Sequence, residues 1–134
     1  DAVTSQTIID TEKRVVMKFT NLSDGSGESA VKKVDVSALT AHPDGTACSQ
    51  VTIDQVWYNV GGMRVLIDFA ASTNVAALVL GSNAAANDSG HLDFRSFGGI
   101  KNNASSPDGD LDFTTQGAST SDHYMIILEM RKQY

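Results

Sequence analysis

Alternation of apolar and polar side chains runs through most of this chain. A half-buried β-strand requires that pattern, because successive side chains leave a strand on opposite faces. In "RVVMKFT", Val15, Met17 and Phe19 oppose Val16, Lys18 and Thr20. In "VTIDQVWYNV", Val51, Ile53 and Trp57 oppose Thr52, Asp54 and Tyr58, and in "MRVLIDFA", Met63, Val65, Ile67 and Phe69 oppose Arg64 and Asp68. The run "HYMIILEMRK" sets Tyr124, Ile126, Leu128 and Met130 against Glu129 and Arg131 as a long terminal strand. Weaker candidates are "QTIID", "AVKKVDV", the more continuously apolar "VAALVLG", and "DLDFTT" with Leu111 and Phe113 inward. Together these make about eight strands at the spacing of a sandwich or barrel.

Glycine punctuates the pattern. Gly61-Gly62 between two alternating runs predicts a hairpin, because primed turns need positive φ. The stretch "SDGSGESA", residues 23–30, raises three alternatives: a phosphate cradle, a calcium loop or a turn. A P-loop needs Lys after its last glycine and then a helix, whereas Gly27 is followed by an alternating strand. Asp24, Ser26 and Glu28 only loosely match the alternate oxygen ligands of a calcium loop. The turn is the better reading, with Asp24-Gly25 opening it and Gly27 closing it, so that "RVVMKFTNL" and "SAVKKVDV" form a second hairpin. Residues 81–90 and 97–110, rich in Gly, Asn, Ser and Asp, read as long surface loops. The expected fold is therefore all-β: a single-domain, two-sheet antiparallel sandwich of jelly-roll type over residues 1–134, with residues 1–7 an N-terminal arm that orders on docking.

Charge and cysteine content narrow the function classes. Ten Lys plus Arg against sixteen Asp plus Glu leave a net charge of -6 without a basic block, which argues against direct nucleic-acid binding. The strongest apolar run, residues 75–81, is far shorter than the ~20 residues of a membrane-spanning helix, so a soluble chain is expected. Asp1 in the place of an initiator Met leaves an upstream processed segment open. Cys48 is the single cysteine; a buried structural thiol is favoured over a nucleophile, with an intermolecular bridge left open.

Other chemistry finds little purchase. Asp108, Asp110 and Asp112 share a strand face and resemble a metal cluster, but such rows also keep a sheet edge soluble, and Pro107-Asp108-Gly109 reads as turn chemistry. His42, His91 and His123 have no ligand spacing for zinc. Ser121, Asp122 and His123 carry the letters of a triad, yet strand neighbours point to opposite faces. Trp57 is expected in the core as an apolar member of its run, while Tyr58 is assigned to neither face. Asn21, Asn87 and Asn103 begin N-x-[ST] sequons of the kind short Asn/Ser loops produce by chance. No catalytic, cofactor-binding or metal-binding residue is assigned, and no enzyme is expected.

Three stretches, "VVMKFTNLSDGSGESAVKKVDVSAL", "VWYNVGGMRVLIDF" and "LDFRSFGGIKNN", together resemble small virion structural proteins of tailed double-stranded DNA bacteriophages, especially those of marine and cyanobacterial hosts. The resemblance implies a head decoration, or cement, protein on the capsid exterior. Its partners would be the major capsid protein and copies of itself in a closed dimer or trimer, with no cofactor. It brings no functional motif that maps onto residues of this chain. A small acidic β-module without an active-site constellation suits work done by surface contact. The competing expectation is a carbohydrate-binding module or tail adhesin, which requires an exposed aromatic beside the loop 81–90 or 97–110.

Overall fold

In the computed structural model, which describes residues 1–82 and 86–134, two antiparallel sheets pack into a sandwich. The strands are β1 (Ala2–Asp10), β2 (Arg14–Asp24), β3 (Val31–Val34), β4 (Gln50–Gly61), β5 (Arg64–Ala71), β6 (Val75–Gly81), β7 (Asp88–Asp93), β8 (Pro107–Gln116) and β9 (Thr120–Gln133). Short 3-10 turns occupy Val36–Ala38 and Arg95–Phe97. One sheet has the order β1-β2-β9-β4-β7 and the other β3-β8-β5-β6. Among the described residues, the consecutive strands that pair directly are β1–β2 and β5–β6; each remaining connection changes sheet.

Alternation places most of the core correctly. Val15, Met17 and Phe19 on β2 meet Met63 just before β5, Val65, Ile67 and Phe69 on β5, Leu111 and Phe113 on β8, and Tyr124, Ile126, Leu128 and Met130 on β9 in one buried cluster. The Phe19 and Phe113 rings pack edge to face at 5.0 Å, and Phe113 lies 6.0 Å from the Tyr124 ring. Each such side chain taken out of water contributes roughly 1.5–3 kcal/mol, which makes this inter-sheet layer the main source of stability.

Both predicted glycine hairpins are overturned. β4 and β5 belong to different sheets, so Gly61-Gly62 is a crossing at the end of the sandwich. Only Gly62 has positive φ, at 79°, whereas a type I′ turn needs two such residues. Both glycines lie against side chains of β9: a Cβ on Gly61 would stand 2.5 Å from the His123 ring, and one on Gly62 would stand 2.1 Å from the Asp122 carboxylate, so either substitution would force those side chains to move. Residues 25–30 likewise carry the chain from β2 to β3 in the opposite sheet.

Trp57 also departs from the reading of its run. The β4–β9 register shifts between Ile53 and Gln55, so Asp54 is an extra residue on β4. One inserted residue reverses the phase of everything after it. Val56 and Val60 consequently enter the core and Tyr58 packs against it, while Trp57 is half-buried on the outer face.

Four smaller differences complete the comparison. β6 is an edge strand with Leu78 and Leu80 buried and Val79 exposed, not a continuously buried run. The Pro107-Asp108-Gly109 segment starts β8 and makes no turn; Gly109 has φ 92°, and a Cβ there would collide with the Ser49 carbonyl oxygen at 1.9 Å. The ninth strand, β7, begins inside the segment read as loop 81–90. Residues 2–7 are no free arm, since they pair with β2 from Ala2↔Leu22 to Thr7↔Met17.

Because the Phe113 ring joins both sheets, Phe113→Ala should destabilise the fold by about 3–5 kcal/mol, read as a lowered urea midpoint with an unchanged slope. A loss below ~1 kcal/mol would contradict the central position assigned to that ring.

Candidate functional site

The outer face of the five-stranded sheet presents the candidate site. Its central row runs Gln6, Lys18, Ile127, Trp57, His91 across the strands. The Trp57 and His91 rings stack at 4.9 Å with an interplanar angle of 8°. Two further outward positions on this face are apolar and open: Met125, next along β9, is 39% exposed, and Leu22, further along β2, is 58% exposed.

A hydrogen-bonded chain borders this patch. Arg14 donates to Glu129 Oε2 through Nε at 3.0 Å and Nη2 at 2.6 Å, while Gln55 Nε2 donates to Glu129 Oε1 at 2.9 Å. Gln55 Oε1 can only accept, so His91 Nε2, 2.8 Å away, carries the donated proton. The imidazole is thereby held upright against Trp57. Burial pushes the Glu129 carboxyl up, but the bonds from Gln55 and Arg14 outweigh it and hold the group below its ordinary value.

The loop at residues 23–28 answers the question its glycines raise. It folds around the Asp1 side chain: Oδ1 accepts from the Asp24 amide at 3.1 Å, Ser26 Oγ at 3.2 Å, the Gly27 amide at 3.3 Å and Ser23 Oγ at 3.4 Å, and Oδ2 accepts from Asn21 Nδ2 at 3.1 Å. Gly25 and Gly27, at φ 97° and 75°, let the amides turn inward, which makes the loop an anion nest occupied by the chain's own carboxylate. Asp24, Ser26 and Glu28 do not converge on a common point. Asp24 accepts from Ser26, whereas Glu28 turns inward to Lys33 at 2.6 Å, Tyr124 at 2.6 Å and Asn21 at 2.8 Å. The Glu28 and Lys33 side chains are only 6% and 5% exposed. Asn21, whose sequon the sequence presents, is buried in this network.

The remaining sequence candidates are dispersed. Asp110 accepts the Val36 amide at 2.9 Å and pairs with Lys32 at 3.1 Å, Asp112 lies beside Asp68, and Asp108 is exposed. Burial raises Asp68 and Asp112 above the usual carboxylate value, and their mutual repulsion adds to the shift of Asp68. His42 sits at an end cleft with Tyr134, His91 on the outer sheet face, and His123 over Gly61. Among the described residues no hydrogen bond joins Ser121, Asp122 and His123; Asp122 instead accepts from the Ser119 amide at 2.7 Å. Cys48 is buried, its Sγ donating to the Gln50 carbonyl at 3.3 Å, and burial pushes its thiol up. Two features escaped the sequence reading: the Trp57–His91 stack, and the 350 Å³ cleft lined by Glu12, Lys13, His42, Arg131, Lys132 and Tyr134. Neither has a local signal, because each joins residues from distant strands. Of the aromatics beside loop 97–110, Phe97 is 64% exposed and leans on Phe94 at 6.1 Å.

Among known proteins, no family model, no curated protein and no solved structure matches this chain.

Removing one partner of the buried Glu28–Lys33 pair leaves the other charge stranded, so Glu28→Gln should destabilise the fold by about 3 kcal/mol at pH 7. Burial raises Glu28, but its three hydrogen bonds hold the folded value below 4.5. Its contribution is therefore complete above pH 4.5 and lost as pH falls through the folded value. Urea titrations at neutral and acid pH should show the gap between wild type and variant closing on the acid side; a gap that widens there would contradict the assignment. Cys48 should stay unreactive toward a thiol reagent until the protein unfolds, and labelling of the native state at the rate of a free thiol would refute its buried role.

Proposed function

We propose that this chain is a non-enzymatic structural protein of a tailed-phage particle, which decorates and cements the capsid exterior through its sheet surfaces. The observation that carries the reading is the outer face of the five-stranded sheet, where exposed Met125 stands two residues from half-buried Ile127, Ile127 pairs with half-buried Trp57, and exposed Leu22 lies further along the same face. An open sheet face offers area to a macromolecule. The strand order adds support: β2-β9-β4-β7 opposes β3-β8-β5-β6, with β1 appended, as in a jelly roll. Jelly rolls recur in capsid and lectin domains. The local likeness of residues 15–39, 56–69 and 92–103 to small phage virion proteins selects the capsid member of that pair. Its partners in this reading are the major capsid protein and copies of itself in a cyclic dimer or trimer, without nucleic acid or a cofactor.

Attachment at many equivalent lattice points would stabilise the shell by mass action and turn weak contacts into avidity. A second reading, carbohydrate binding, is favoured by the exposed Phe97 beside loop 97–110. Trp57 serves that reading less well, since one face of its ring is already covered by His91.

Quantitative mass spectrometry of purified virions should find the chain in fixed proportion to the major capsid protein, and cryo-electron microscopy should place it on the head surface. Absence from the particle, or placement on the tail, would reject the capsid reading. Met125→Asp should weaken binding to empty capsids at least about tenfold, equivalent to ~1.4 kcal/mol, without altering the urea midpoint. Specific glycan-array binding that Phe97→Ala abolishes would establish the second reading instead.

A further inference from the structure

β1 is attached to the sandwich in an unequal way. Its C-terminal end is anchored: the buried Lys132 ammonium binds Asp10, the Thr11 carbonyl at 2.6 Å and the Thr40 carbonyl at 2.8 Å, and the Tyr134 hydroxyl holds the Glu12 carbonyl. At Ile8 the β1–β2 register shifts, leaving an extra residue between Thr7 and Ile9. Beyond that bulge every residue of Ala2–Thr7 is exposed, Val3 included. What holds this half is the main-chain ladder to β2, the Thr4–Thr20 hydroxyl contact, the Asp1 carboxylate in the nest of residues 23–27, and an ion pair of the Asp1 amino group with Asp24 at 3.0 Å.

Apolar burial normally makes a strand difficult to remove, and here no side chain of residues 2–7 is fully buried, so that contribution is small. The nest is a built carboxylate receptor, since its Asn21 and Ser23 donors are 2% and 4% exposed. We propose that residues 1–7 form an exchangeable arm that hinges at the Ile8 bulge, latched by the Asp1 carboxylate, and that in the assembled protein it docks on β2 of a second copy. A second copy is the one partner that supplies every contact the arm gives up: the same β2 edge, Thr20 and the same nest. Exchange therefore changes connectivity without changing the contacts made, the condition under which swapped oligomers form at little free-energy expense. Seven extended residues reach roughly 23 Å, enough to bridge adjoining copies. Arm exchange does not require the capsid reading, because it is a property of the isolated protein at high concentration.

Thr4 and Thr20 are directly opposed, so the double variant Thr4→Cys/Thr20→Cys reports which copy the arm occupies. After mild oxidation, non-reducing electrophoresis should show covalent dimers or closed rings that increase with protein concentration, well above the random level of each single variant. Disulfides confined to the monomer at every concentration would overturn the exchange. Hydrogen exchange tests the latch on the same protein. Amides of residues 2–7 should exchange about 100-fold faster than those of β9, and faster by a further ~10-fold in Asp1→Ala, with β9 unaffected. Protection of residues 2–7 equal to that of β9, or unmoved by Asp1→Ala, would refute a latched arm.

Discussion

The fold depends on the insertion of its last strand between two of its early ones. β9 hydrogen-bonds β2 along Arg14↔Arg131 to Asp24↔Thr120 on one side and β4 along Gln50↔Gln133 to Gly61↔His123 on the other. Until residues 120–133 arrive, β2 and β4 have no common neighbour and the five-stranded sheet cannot exist. Its inward side chains, Tyr124, Ile126, Leu128 and Met130, also supply the centre of the buried layer. Contacts this distant in sequence bring their reward only after a long loop has closed, so the topology implies slow, cooperative assembly in place of strand-by-strand growth.

Charged groups inside the ends of the sandwich reinforce that closure. Lys132, on β9, gathers Asp10, Thr11 and Thr40 at one end, while Glu28 gathers Lys33, Tyr124 and Asn21 at the other. A well-bonded buried ion pair adds little net stability relative to apolar packing, yet breaking one side of it is expensive. We therefore read these clusters as devices of specificity. They determine where the β1–β2 turn, the loop after Val36–Ala38 and the β2–β3 crossing rest against β9. The outer sheet face that we assign to partner contact belongs to strands whose ends are tied in this way.

How far this architecture was legible in the amino-acid order differs from strand to strand. Val15, Met17 and Phe19 face the core as alternation requires, and so do the apolar sets of β5, β8 and β9, because each strand has one wet and one dry side. β4 obeys the same rule up to Ile53, then loses phase at Asp54, whose carboxylate binds Arg131 Nε at 2.9 Å and whose carbonyl accepts the Phe94 amide at 2.8 Å. Those partners are distant in sequence, so simple alternation places Trp57 on the wrong face. β7, with its polar and largely exposed DSGHLD, has no dry side to announce it. The Trp57–His91 stack was unreadable for a related reason: the rings become neighbours only when β7 pairs with β4.

Gly61-Gly62 and residues 23–28 mark the boundary between the two kinds of information. The sequence by itself determined that this chain makes strands, which side chains most of them bury, and where the backbone must bend, since periodicity and φ preference are local properties. Tertiary structure alone decided which strands become neighbours, that both glycine-marked bends cross between sheets, and that the polar loop closes on the Asp1 carboxylate. The physical reason is that a strand edge carries the same donors and acceptors whatever its sequence. Strand partners are therefore chosen by how the whole set of apolar faces can be covered at once, a quantity no short window contains.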